Sequence, residues 1–256
     1  MEKTVLCIRH GDSRQEYLAG FLKKRGYSTR LCEDIENEST DRYDWILFPV
    51  VTKGIDLEKE AIKLRSGQCV FGGTFPKEFL EQCRQKGAVC YEYMKEQSIA
   101  VRNAVATAEG AIAEALAAGQ TNLCVGRSLV LGYGKCGKVL ADRLYGMKSK
   151  VSVYEQDAVS RAEADTCGFS AIEDLSNMEQ YSYIFNTIPK KLLREEELKK
   201  MQKDVVIIDI ATGGGVDYDY CKKHGINAKL CPGLPGKYAP QTSAEILAEY
   251  IMKTGK

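Results

Sequence analysis

Gly132, Gly134 and Gly137 stand at G-x-G-x-x-G spacing, directly after the apolar run Ser128–Leu131 and before the helical stretch Lys138–Tyr145. Each glycine has a separate job in holding a dinucleotide. Gly132 permits a tight turn, Gly134 lets the backbone approach a pyrophosphate, and Gly137 lets the helix pack against the strand. The start of the helix offers free N–H groups and the positive end of its dipole to the phosphates. Tyr133, Lys135 and Cys136 complete the loop and join the glycines as cofactor-binding candidates. The motif alone is weak evidence; the strand before it and the helix after it give it meaning.

The next strand, Lys150–Tyr154, ends at Glu155, 18 residues after Gly137. An acid at that point accepts from the adenosine ribose hydroxyls, and its charge favours NAD over NADP. No arginine follows at once to meet a 2′-phosphate, so NAD or NADP is the expected cofactor, with the charge leaning to NAD. Ligands of open α/β sheets gather beyond the carboxyl ends of the strands. Asn186-Thr187-Ile188-Pro189 and Asp209-Ile210-Ala211-Thr212 are two further strand ends of this kind. Thr187 and Thr212 are expected by the nicotinamide half, with Pro189 and Ala211 in the same two loops.

Strands and helices alternate along the whole chain, which predicts parallel sheets covered by helices on both faces. In the first part, Thr4–Ile8, Ser28–Leu31, Tyr43–Val51, Gln68–Phe71 and Ala88–Tyr91 read as strands. Arg14–Arg25 and Pro76–Gln85 read as helices. The alanine-rich stretch Glu96–Ala118 predicts one long helix, about 35 Å at 1.5 Å per residue. After the glycine motif come a helix at Arg161–Cys167, strands at Tyr183–Asn186, Val205–Ile210 and Ala228–Cys231, and helices at Leu192–Met201 and Asp217–His224. A last helix is expected at about Thr242–Lys253. The resulting division is a first domain of residues 1–98, a connector helix at 99–119 and a dinucleotide-binding Rossmann domain at 120–241. The last helix, 242–254, is expected to pack back on the first domain.

The 256 residues, 44% of them hydrophobic, suffice for two modest cores. Lys and Arg number 36 against 35 Asp and Glu, a net charge of +1. That balance does not favour nucleic acid or an anionic membrane as partner. No apolar run approaches the roughly 18 residues of a membrane span, and the first residues lack the apolar stretch of a secretion signal. A cytoplasmic location is expected. Ten cysteines and two histidines occur, with no C-x-x-C pair, so no metal site is expected. The cysteines read as small buried hydrophobes in a reducing compartment.

Five runs spread along the chain bring it close to a known family: Gly11-Asp12-Ser13-Arg14-Gln15, Asn103-Ala104-Val105-Ala106-Thr107-Ala108-Glu109-Gly110-Ala111, the segment Leu131–Gly137, Phe185–Pro189, and Gly233–Thr242. With these runs the chain resembles the family of the A subunit of dipicolinate synthase. The resemblance implies a flavodoxin-like, doubly wound N-terminal substrate domain and a C-terminal NAD(P)-binding Rossmann domain, laid out as in D-2-hydroxyacid dehydrogenases. It also implies oxidation of a dihydrodipicolinate-type ring to pyridine-2,6-dicarboxylate, and a B-type partner subunit. The family is generally described with NADP, and a homo-oligomer is expected. Two segments depart from the family pattern. Arg9-His10-Gly11 replaces a glycine pair before Asp12, and Thr212-Gly213-Gly214-Gly215 lacks a proline usual there.

A small dicarboxylate substrate needs cations placed between the domains. Arg14 is the first candidate, followed by Lys237 and Arg102; Asp12, Thr107 and Thr242 lie in the matched runs and join them as substrate-binding candidates. The product is aromatic, so positioning and exclusion of water carry much of the task. Glu109 is a candidate base, or holds a neighbouring donor, or packs a hinge. His10 is a second candidate for moving a proton. Two other readings compete. A D-2-hydroxyacid dehydrogenase needs an arginine after the strand ending at Asp209 and a histidine before the last helix, where this chain has Ala211-Thr212-Gly213 and Pro235-Gly236-Lys237. A non-catalytic NAD(P)-binding partner subunit is the other.

Overall fold

The structure, a computed structural model, describes residues 3–36 and 38–255. The chain forms two compact units, one from Met1–Asn103 with Ala239–Lys256 and one from Ala104–Tyr238.

The first unit runs β1 (Thr4–Ile8), α1 (Arg14–Lys24), β2 (Ser28–Cys32), β3 (Trp45–Leu47), α2 (Leu57–Ile62), β4 (Cys69–Gly72), α3 (Lys77–Gln85) and β5 (Val89–Glu92), then enters α4 (Gln97–Ala118). Its five strands pair in parallel in the order β2-β1-β3-β4-β5. The order turns at β1, which therefore has β2 on one side and β3 on the other. Loops leaving β1 and β3 diverge there and open a crevice. Both faces of the sheet are covered, so β1 is apolar at every second residue on each face. Val5 and Cys7 pack on one side, Leu6 and Ile8 on the other.

The second unit continues with β6 (Arg127–Leu131), α5 (Lys135–Gly146), β7 (Lys150–Tyr154), α6 (Ala158–Thr166), β8 (Ser170–Ile172), β9 (Tyr183–Asn186), α7 (Glu195–Leu198), β10 (Val206–Asp209), α8 (Tyr218–His224), β11 (Asn227–Leu230) and α9 (Leu234–Tyr238). Its six parallel strands lie in the order β11-β10-β9-β6-β7-β8. This is a doubly wound sheet whose order reverses between β6 and β9. The alanines of α4, Ala108, Ala111 and Ala115, are fully buried in this unit's core beside Val130, Leu140 and Phe185. Alanine is the side chain that lets a long helix lie that close.

The final helix, α10 (Pro240–Thr254), belongs to the first unit and buries Ala244, Leu247, Ala248 and Ile251 against Leu18, Leu22 and Trp45. The apolar positions recur every three or four residues, as one helix face requires. Each fully buried leucine or isoleucine there contributes about 1.5–3 kcal/mol.

Several elements differ from expectation. The third strand is only Trp45–Leu47, because a 3-10 turn at Thr40–Arg42 delivers the chain late and the run leaves the sheet before Pro49. The helix expected at Leu192–Met201 shrinks to Glu195–Leu198, since the N–H groups of Leu192 and Leu193 both donate to the Gly215 carbonyl and hold that stretch extended. Helix α5 starts at Lys135 rather than Lys138. Three short elements, α2, β8 and α9, were not expected; each is six residues or fewer and shows too little periodicity.

Candidate dinucleotide site

Strand β6 hands the chain to α5 through Gly132-Tyr133-Gly134. Gly132 has φ +95°, a left-handed conformation that side chains rarely adopt. A Cβ built on Gly137 would lie 2.0 Å from the Gly132 carbonyl oxygen, so only glycine lets α5 start over the strand end. A Cβ on Gly134 would meet nothing within 4 Å. The crowded glycines shape the loop, and the open one faces free space. Gly134 is the residue before the first helical turn, so the N–H groups of Lys135, Cys136 and Gly137 have no carbonyl one turn back to bond. This cradle fits a pyrophosphate in space, charge and donor supply.

Glu155 sits at the carboxyl end of β7. One oxygen accepts from the Tyr133 N–H at 2.9 Å; the other accepts from the N–H groups of Gln156 (2.8 Å) and Asp157 (3.1 Å). The acid therefore closes on the glycine loop itself. Tyr133 gives its backbone to this arrangement and not its ring, which is buried against Phe169. Beside Glu155 opens a cavity of about 610 Å³, lined also by Tyr154, Ile188, Lys190, Lys191 and Arg194. Lys191 pairs with Asp217 at 3.3 Å.

The loops after β9 and β10 are fastened to each other. Thr187 donates its hydroxyl to the Leu131 carbonyl at 2.8 Å, tying the β9 end to the β6 end. Asn186 and Asp209 are fully buried side by side, and the Asn186 amide donates to Asp209 Oδ1 at 3.0 Å. The same oxygen accepts from the Ala211 N–H at 3.0 Å; Oδ2 accepts from the Gly215 N–H at 2.6 Å and the Tyr218 hydroxyl at 2.8 Å. Burial first, and then the bond to Asp209, push the Tyr218 hydroxyl well above its ordinary range. Pro189 and Thr212 lie exposed in these two loops. Sequence reasoning singled out Thr187 and Thr212 and missed the Asn186–Asp209 pair, although a polar residue ending each of two apolar strands was a signal.

The remaining candidates separate. In the first unit, Arg14 and Asp12 form a nearly buried two-point ion pair, with Nε to Oδ1 at 2.7 Å and Nη2 to Oδ2 at 2.8 Å. Asp12 also accepts from the Val50 N–H. Arg102 pairs with Glu249, and Thr242 is exposed at the start of α10. His10, a candidate for moving a proton, has both ring nitrogens engaged. Nδ1 meets Asp34 Oδ1 at 2.9 Å, and Nε2 meets the Lys53 carbonyl at 3.0 Å. The Asp34 bond, seconded by the Lys53 carbonyl, raises the His10 pKa. His10 also has φ +39°, which explains why a glycine suits that position.

In the second unit, Glu109 on α4 is exposed and stands 3.6 Å from Arg143, with Thr107 partly buried on the same helix. Lys237 is matched by the buried carboxylate of Glu114, which also accepts from Lys229 and from the Tyr238 hydroxyl. Lys237, a substrate-binding candidate, thus has an ion-pair partner within its own unit. One carboxylate faces two ammonium groups there, so the Glu114, Lys229 and Lys237 cluster keeps a net positive charge. Among the described residues no group of three His, Cys, Asp or Glu side chains gathers to hold a metal. No helix among them is long and apolar enough to cross a membrane.

Comparisons with known proteins agree with this geometry. Residues 99–222 match the NAD binding domain of the D-isomer specific 2-hydroxyacid dehydrogenases. The second unit is an NAD(P)-binding domain of Rossmann type. A curated relative, the A subunit of dipicolinate synthase from Bacillus subtilis (strain 168), is 27% identical over 259 residues, which span 93% of this chain and 86% of the relative. The chain resembles that A subunit over nearly its whole length. The crystal structure of the A subunit of dipicolinate synthase from Bacillus halodurans shares the fold at a TM-score of 0.87 with 24% identity, covering 99% of this chain and 97% of that one. Salmonella D-lactate dehydrogenase shares it at 0.73 with 13% identity, covering 99% and 96%. The flavodoxin-like and Rossmann sheets in one chain are thus the fold of both groups of relatives.

Proposed function

We propose that this chain is an NAD(P)-dependent oxidoreductase that converts a dihydrodipicolinate-type ring into pyridine-2,6-dicarboxylate, working with a B-type subunit in the cytoplasm. The observation that carries the reading is the similarity to the A subunit of dipicolinate synthase along 93% of the chain, joined to a glycine loop built for a pyrophosphate. A 2-hydroxyacid substrate is disfavoured, because the loop after β10 reads Ala211-Thr212-Gly213 and carries no arginine.

The chemistry that the bound nicotinamide supplies is acceptance of the hydride that the ring loses as it becomes aromatic. The chain's own residues bind and orient. The N–H groups at the start of α5 take the pyrophosphate, and Glu155 holds the loop closed. Arg14 takes a substrate carboxylate. Two of its N–H groups are spent on Asp12, three remain, and Asp12 fixes the guanidinium plane. All three candidate cations have a carboxylate partner, and Arg14 is set apart because Asp12 holds its guanidinium nearly buried in a fixed plane while the Arg102 and Lys237 side chains are exposed. Glu109 would take up the proton released. Three cations, Lys190, Lys191 and Arg194, line the cavity beside Glu155, which favours a 2′-phosphate and hence NADP.

The test is turnover. Purified protein receives the aldol product of pyruvate and aspartate semialdehyde with NAD or NADP, with and without a B-type subunit. Reduced nicotinamide and dipicolinate rising together support the reading. Tight cofactor binding with no dipicolinate under any of these conditions would replace it with a non-catalytic binding subunit.

A further inference from the structure

The Asn186–Asp209 pair has no counterpart among the roles assigned so far. Its carboxylate is fully buried and surrounded by donors only: one side-chain amide, two backbone N–H groups and one phenol. Four donors converging on two oxygens are the partner set that a carboxylate's lone pairs take. No lysine or arginine is among the four donors. A buried anion with neutral partners keeps its charge unneutralised, and its field reaches out at low effective dielectric.

Its place in the sheet gives that field a target. β9 and β10 lie on the side of β6 away from β7, where Glu155 marks the adenosine half. The second mononucleotide half of a doubly wound sheet therefore belongs to the β9 and β10 ends, where Asn186 and Asp209 sit at matched register. Nicotinamide is a cation when oxidised and neutral when reduced. We propose that Asp209 is a fixed counter-charge that favours the oxidised cofactor, and that Asn186 and Tyr218 are positioning residues that hold it in place. Gly215 completes the device. A Cβ there would come within 2.4 Å of the Asn186 amide nitrogen, so only glycine lets the β10 loop close over the pair.

This inference rests on the NAD(P)-binding reading, and one experiment separates the two. The dissociation constants of NADP+, NADPH, NAD+ and NADH are measured by calorimetry for the wild type, Asp209→Asn and Tyr218→Phe, with thermal unfolding as a control for folding. A unit charge acting over about 10 Å at an effective dielectric near 20 changes a binding ratio by roughly tenfold. Asp209→Asn is therefore expected to weaken oxidised relative to reduced cofactor about tenfold. Tyr218→Phe keeps the charge and is expected to leave the ratio within about twofold while lowering stability. An unchanged ratio in folded Asp209→Asn overturns the counter-charge. If that variant does not fold, the wild type decides alone, because reduced cofactor binding as tightly as oxidised overturns the proposal. A wild type that binds neither form overturns the NAD(P)-binding reading, and this inference falls with it.

Discussion

The carbonyl oxygen of Gly132 lies 2.0 Å from where a Cβ of Gly137 would stand, while a Cβ on Gly134 meets nothing within 4 Å. Two glycines of the motif serve the fold, and one faces open space.

Gly134→Val is thus expected to fold with an unfolding midpoint close to wild type and to lose at least tenfold in NAD(P) affinity. Gly137→Ala forces α5 off the strand end and is expected to cost about 1–3 kcal/mol, as overpacking does. Thermal unfolding and calorimetric cofactor binding on both variants check the split. Normal NAD(P) binding by folded Gly134→Val would remove the glycine loop from the site.

Glu114 gives a pH dependence with a definite sign. The Lys229 and Lys237 ammonium groups, then the Tyr238 hydroxyl, pull its carboxyl down from an ordinary 4.5 to about 2. The folded value lies below the unfolded one, so the carboxylate's contribution is complete above about pH 4.5. It is lost as pH falls from there toward 2. Glu114→Gln is expected to destabilise the protein at pH 7 and to flatten the stability curve between pH 5 and 3. Urea unfolding across that range checks it; parallel curves for variant and wild type would remove Glu114 as the cause.

The sequence made the long elements and the glycine loop readable because their physics is local: strand, turn, helix, each with its own residue preferences. α4 and β6 were legible in this way. The fastening of the site was not. Glu155 was readable as a strand-end acid, but its closure on the Tyr133 N–H depends on where β7 lies beside β6. The pairing of Lys237 was not legible, because Glu114, 123 residues away in sequence, gives no local sign of meeting it. The anchoring of His10 was hidden for the same reason. Its partners Asp34 and Lys53 come from two other loops. Buried polar pairs form across sequence distance, and periodicity reports only what each element buries by itself.

His10 titrates in the opposite sense to Glu114. Asp34 and the Lys53 carbonyl raise its folded pKa above the ordinary 6.5. The tie between three loops is therefore complete below about pH 6.5 and weakens as pH rises through the raised value. His10→Gly relieves the φ of +39° and removes the tie, so its melting temperature is expected to lose the wild type's decline above pH 6.5. Melting curves from pH 5.5 to 8.5 check this, and an undiminished decline in the variant would assign the effect elsewhere.

Lys190 and Lys191 offer the sharpest test of cofactor choice. They line the cavity beside Glu155, and Lys191 is already shared with Asp217. Lys190 thus has the greater freedom to meet a 2′-phosphate. A charge-assisted bond of that kind contributes about 1.5–3 kcal/mol, roughly 10- to 100-fold in affinity. Lys190→Ala is expected to raise the dissociation constant of NADP by about that factor and to change that of NAD less than threefold. Glu155→Gln should move NAD binding instead, through its hold on the glycine loop, and NADP with it. Equal losses for NAD and NADP in Lys190→Ala would place the lysine on the shared part of the cofactor and remove it as the source of a preference for NADP.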